Sequence, residues 1–230
     1  MTMSLQKYLA EAFGTFTLVF VGSVAILAVV GGGALVTIAF GFGLALLAGL
    51  YAFGEVSGGH FNPIVSLAMA LDRRLGTRDL LGYWVAQFAG AVLASLCVLI
   101  AFDQDAVART ATTPNSLTGA GTALFLEILA SAIFVLVILQ STKSERHAGT
   151  ALVAIPLTLV AAHLALVPFS GSSLNTARSL GPALVGNRWT DFWVYVIGPP
   201  LGAVLGWLVY TIVVKTEGAP AAEDRSPRPA

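Results

Sequence analysis

Apolar residues fall in long runs separated by short charged clusters. Between Glu11 and Glu55 lie 43 consecutive residues without a charge, enough for two membrane helices of about 20 residues each. Gly31-Gly32-Gly33 in the middle of that run predicts the turn between them. Leu80–Phe102 predicts a third span. Leu117–Gln140, interrupted only by Glu127, predicts a fourth. His147 to about Pro168 predicts a fifth, and Phe192–Val214 a sixth. The first apolar stretch contains Glu11, is too long for a signal peptide, and is followed by further spans.

An even number of spans places both ends of the chain on one side. The connection after span two carries Arg73, Arg74 and Arg78 against Asp72 and Asp79, and the connection after span four carries Lys143 and Arg146 against Glu145. The connection after span three has Asp103 and Asp105 against Arg109. Lys and Arg in short loops favour the cytoplasmic side, so both termini are expected there, in the cell inner (plasma) membrane. Trp84, Trp189 and Trp193 sit near span ends, where aromatic rings anchor at the interface. Residues 216–230, rich in Pro, Ala and charge, read as a disordered cytoplasmic tail beyond a single transmembrane domain at 1–215.

Composition narrows the class. Of 230 residues, 57% are hydrophobic and only 10% charged, and mean hydropathy is +0.84. Soluble domains carry about 25% charged residues. The formal net charge of +0 excludes a basic nucleic-acid binder. Cys97 is the only cysteine, which excludes a disulfide scaffold, and in apolar span three it reads as a small hydrophobe. No metal cluster, catalytic triad or phosphate loop stands in the sequence, so neither a cofactor nor an enzymatic activity is expected.

The chain repeats itself. Residues 57–71 (SGGHFNPIVSLAMAL) lie over 170–184 (SGSSLNTARSLGPAL) with seven of fifteen positions identical at an offset of 113. Gly90-Ala-Val-Leu93 recurs as Gly202-Ala-Val-Leu205, and Glu11 and Glu127 hold matching places in spans one and four. Two copies, about 5–102 and 117–214, each hold three spans. An odd number inverts the second copy in the membrane, an arrangement that sets a site near the midplane. The segments after Asn62 and Asn175 are too short to cross the core. They predict half-helices re-entering from opposite sides, with their positive N-termini at the centre.

The residues at this point resemble the aquaporin, or major intrinsic protein, family, and most closely its bacterial water-selective branch. The resemblance spans about residues 5–214 and rests on Ser57–Ile64 with Asn62-Pro63-Ile64, on Asn175-Thr176-Ala177-Arg178-Ser179, and on Ala10–Thr15. It implies an all-α fold: a right-handed bundle of six transmembrane helices plus two re-entrant half-helices, forming a homotetramer with one pore per subunit. The family motif is Asn-Pro-Ala twice; Ile64 replaces the first Ala and Thr176 the second Pro. An altered central packing is expected from Thr176, without loss of the fold.

The resemblance also implies the site residues. Asn62 and Asn175 form the central constriction, each aiming an amide N–H into the pore. Phe42, His163, Ser172 and Arg178 form the selectivity filter. A buried Arg178 must face water and carbonyls to be tolerated in hydrocarbon. His60, Gly58 and Gly59 line the pore. Glu55 stands at its mouth and either acidifies it or pairs with an arginine. Glu11 and Glu127 brace the re-entrant loops, and Gln87 supports loop polar groups. The glycerol-conducting branch usually has Trp, Gly and Asp where this chain has Phe42, His163 and Ser179. The expected function is a passive, single-file, proton-excluding water channel in contact with membrane lipid. The alternatives are an aquaglyceroporin-like channel for small neutral solutes (glycerol, ammonia, hydrogen peroxide), an inverted-repeat secondary transporter, and a non-conducting membrane scaffold.

Overall fold

The computed structural model describes residues 3–29, 34–143 and 145–215, with side chains over 4–29, 34–143 and 149–215. The expected glycine turn at Gly31–Gly33 and the expected tail at 216–230 lie outside these residues. Among the described residues nine α-helices follow one another: α1 Met3–Val29, α2 Leu35–Ser57, α3 Pro63–Leu71, α4 Thr77–Ala101, α5 Gln104–Thr110, α6 Gly119–Ser141, α7 Glu145–Ser170, α8 Thr176–Val185 and α9 Trp193–Val209. A π-helical turn, Tyr210–Val214, ends the ninth.

Six of the described helices (α1, α2, α4, α6, α7, and α9 with its π turn) are long and apolar enough to cross a membrane. Their ends follow the charge clusters, because a charge at depth is costly. The half-helices are shorter, with 9 residues in α3 and 10 in α8. At 1.5 Å per residue each covers about half of a hydrocarbon core. Their N-termini are capped by Asn62 and Asn175.

Helix α1 packs on α2 and α4, and α6 packs on α7 and α9; α2 against α7 joins the two groups. Each half-helix crosses over: α3 lies on α9, and α8 lies on α4. Close approach is achieved through small residues. A Cβ at Gly90 would strike the Ala12 carbonyl, and one at Gly202 would strike that of Ile128.

The short helix α5 was not expected from the charged stretch that encodes it. Asp103 is its N-cap and accepts from the Ala106 N–H at 2.6 Å, a recognisable start signal. Trp84 is half-buried rather than purely interfacial, and its indole N–H donates to the Pro63 carbonyl at 3.0 Å. Trp189 and Trp193 are exposed.

Candidate functional site

The site is built from two loops that enter the bundle with the same backbone. Gly58, Gly59 and Phe61 are left-handed in the first loop, and Gly171, Ser172 and Leu174 in the second. Such a conformation costs a side-chain-bearing residue about 1–2 kcal/mol, so Phe61, Ser172 and Leu174 must be held by their surroundings. The two buried acids supply acceptors. Glu11 accepts from the Ser57 hydroxyl at 2.6 Å, from His60 N–H at 2.9 Å and from Phe61 N–H at 2.6 Å. Glu127 accepts from the Ser170 hydroxyl at 2.7 Å, from Ser173 N–H at 2.8 Å and from Leu174 N–H at 2.9 Å.

A tyrosine fastens the start of each loop. Tyr83 donates to the Ser57 carbonyl at 2.6 Å, and Tyr195 donates to the Ser170 carbonyl at 2.5 Å. A serine one turn into each half-helix collects further bonds. Ser66 accepts from Gln87 and pairs with His60 Nδ1; Ser179 accepts from Thr112 and pairs with Ser173. Gln87 also donates to Glu11 at 2.7 Å. Position 199, at the matching offset of 112, is Pro and has no amide side chain. Thr112, from the segment after α5, donates to Ser179 instead.

The left-handed turns aim two carbonyls across the centre. Asn62 Nδ2 donates to the Leu174 carbonyl at 2.8 Å, and Asn175 Nδ2 donates to the Phe61 carbonyl at 3.0 Å. Each Asn oxygen meanwhile caps its own helix, accepting from Ile64 N–H or from the Ala177 and Arg178 N–H groups. A side-chain amide has two hydrogens, so one remains on each Asn. Both side chains line a cavity of about 20 Å³, close to the space one water needs.

Phe42, His163 and Arg178 line the same narrow cavity. The rings of Phe42 and His163 have centroids 4.5 Å apart, and the Arg178 guanidinium carbon lies 4.9 Å from the Phe42 centroid. Arg178 Nη1 donates to the Thr110 carbonyl at 3.1 Å, so α5 and its C-terminus hold the arginine. His163 Nδ1 lies 3.0 Å from the Leu159 carbonyl. A carbonyl only accepts, so Nδ1 carries a proton, and in the neutral ring Nε2 is then the acceptor. His163 Nε2, Ser172 Oγ and Arg178 Nε are buried and have no protein partner.

Ser172 is fully buried and does not line the narrow cavity; its neighbour Ser173 does. His60 lines both this cavity and a wider one of about 350 Å³ that also meets Glu55, Gly58 and Gly59. Glu55 is exposed at that wider cavity and has no ion pair among the described residues. Apart from Tyr51 and Thr142 the remaining wall is apolar, with Met69, Phe134, Ile138 and Ile155. Sequence reasoning missed Ser173, Thr110, Thr112 and the Tyr83/Tyr195 pair. The tyrosines were readable, since they recur at an offset of 112.

Comparison with known proteins gives a consistent picture. Residues 1–210 match the family model described as Major intrinsic protein. The chain is 39% identical over 206 residues to the Glycerol uptake facilitator protein-like 6 of Lactiplantibacillus plantarum, covering 87% of this chain and 94% of that protein. It is 39% identical over 220 residues to Aquaporin Z of Brucella melitensis, covering 90% and 96%. The X-ray structure of the aquaglyceroporin from Plasmodium falciparum superposes with a TM-score of 0.83 over 92% of this chain and 97% of that one. At 23% identity that is a likeness of fold.

Proposed function

The chain belongs to the major intrinsic protein family, a multi-pass membrane channel for small neutral solutes and not an enzyme, and from that premise we propose that its principal permeant is water. The observation that carries this reading is the pair of orphaned polar atoms, His163 Nε2 and Arg178 Nε, on residues that line a constriction of about 20 Å³. Buried polar groups need partners, and a passing water is an acceptor for Arg178 and a donor for His163. The Asn62 and Asn175 amides, at the positive ends of α3 and α8, donate to the water oxygen. They turn its hydrogens outward and break the proton wire. Phe42 closes the apolar side. Glu11 and Glu127 hold the loops that carry this geometry.

In this reading the halves at about 5–102 and 117–214 are inverted copies. Both termini are cytoplasmic, the channel sits in the inner (plasma) membrane, and four subunits assemble, each with its own pore. The test is an osmotic jump on proteoliposomes followed by light scattering, with water and glycerol gradients compared. Fast water flux with glycerol excluded is expected. Shrinkage no faster than that of empty liposomes would refute the reading.

A second reading has its own support. The Lactiplantibacillus plantarum relative is named for glycerol uptake, and the wider cavity is lined by apolar side chains as well as by the polar backbone of Gly58 and Gly59, a mixture suited to a carbon chain bearing hydroxyls. Glycerol flux comparable to that of water would establish it.

A further inference from the structure

The structure assigns a positioning role to Thr176, which stands where the family motif has Pro. This inference rests on the pore reading and adds a residue that keeps the second half-helix in register with α9. The Thr176 hydroxyl donates to the Tyr195 carbonyl at 3.0 Å. In an α-helix that carbonyl would accept from the N–H four residues on. Here that residue is Pro199, inside α9, which has no N–H. Thr176 therefore supplies a donor to the carbonyl that Pro199 leaves without its helical partner.

The consequences reach the pore in two directions. Thr176 is the first residue of α8, between Asn175 and the Ala177 and Arg178 N–H groups that Asn175 caps. Its anchoring fixes the height of the Asn175 amide and of Arg178. Tyr195, the acceptor, also fastens the second loop through its own hydroxyl on the Ser170 carbonyl. One residue of α9 is thus tied to both ends of the segment 170–176. In the first half the tie to the matching half-helix runs the other way, from the Trp84 side chain to the Pro63 backbone. Thr176 and Pro199 are thus coupled through the Tyr195 carbonyl.

The experiment is a rescue cycle in proteoliposomes, reading water permeability per folded channel together with glycerol exclusion. Thr176→Val keeps the shape and removes the donor; water permeability is expected to fall roughly threefold or more, as for directly coupled neighbours. Thr176→Ser retains the donor and stays near wild type. Thr176→Val with Pro199→Ala returns an N–H to the Tyr195 carbonyl and restores permeability. Thr176→Val conducting as wild type, or failing to recover with Pro199→Ala, overturns the inference. If Thr176→Val does not fold, the double variant must fold and conduct; its failure also overturns it. A wild-type protein that conducts neither water nor glycerol would instead sink the pore reading, and the two failures are separable.

Discussion

Asn175 reaches from the second half of the chain to the first, its side-chain amide donating to the carbonyl of Phe61 at 3.0 Å across 114 positions of sequence. The same side chain caps two N–H groups of α8, whereas Asn62 caps one of α3. A cap is worth about 1 kcal/mol. Asn175→Ala is therefore expected to lower the thermal midpoint in detergent more than Asn62→Ala does. The reverse order would show that the caps do not set the strength of the clasp.

The two buried acids differ in load. Glu11 accepts from four groups, including Gln87, and Glu127 from three. Replacing either by Gln turns an NH2 toward N–H donors, and each orphaned buried group costs about 1–3 kcal/mol. Both variants should lose stability, Glu11→Gln more than Glu127→Gln. Denaturation in matched micelles ranks them.

Phe42 lies against a bare stretch of backbone. A Cβ at Gly22 would collide with the Phe42 ring. Gly22→Ala should push that ring toward His163 and slow water flux, with an overpacking cost of about 1–3 kcal/mol. Adding Phe42→Leu should relieve the block. Undiminished flux in a folded Gly22→Ala protein would mean that the Phe42 ring does not bound the pore.

Size exclusion follows from the same ring pair, whose centroids are 4.5 Å apart. Changing His163 to Gly and Phe42 to Trp opens one wall and reshapes the other. Glycerol should then enter proteoliposomes faster than in wild type. A double variant that conducts water and still rejects glycerol would place the size limit elsewhere.

Asp72 caps α3 and binds Lys215 at 2.8 Å and Arg74 at 2.6 Å. Burial raises its affinity for a proton, but the hydrogen bonds and charges of Lys215 and Arg74 outweigh that and hold it below the ordinary value of 3.8. A depressed carboxylate contributes stability that is fully present above its unfolded pKa and lost as pH falls through its folded one. The thermal-midpoint advantage of wild type over Asp72→Asn should stay level above about pH 5 and shrink below about pH 4. An advantage that persists unchanged through acid would show that the ion pairs contribute nothing.

Much of this was legible in the residues. Gaps between charges located the long helices, because a solvated charge cannot sit in hydrocarbon without a partner. The repeat located Asn62 and Asn175, and its register is mirrored in the left-handed Phe61 and Leu174. Other features depend on contacts between distant segments. That one N–H of each Asn serves the opposite loop is set by where two carbonyls point, which no local pattern encodes. The link from Thr176 to Tyr195 required knowing that Pro199 lies one turn beyond that carbonyl. Helix α5 was hidden because its charges read as loop, although Asp103 is an ordinary N-cap.

The crossing of the half-helices constrains how the chain is made. Helix α3 emerges early in synthesis, yet it packs on α9, the sixth of the described spans. Until α9 enters the bilayer, α3 lacks that docking surface, and Asn62 lacks the Leu174 carbonyl to which it donates. The first half inserted alone keeps the Glu11, Tyr83 and Gln87 bonds to its loop but not these two contacts, and α3 should be more open to protease than in the whole chain. Full protection of α3 should appear once α9 has been released by the ribosome.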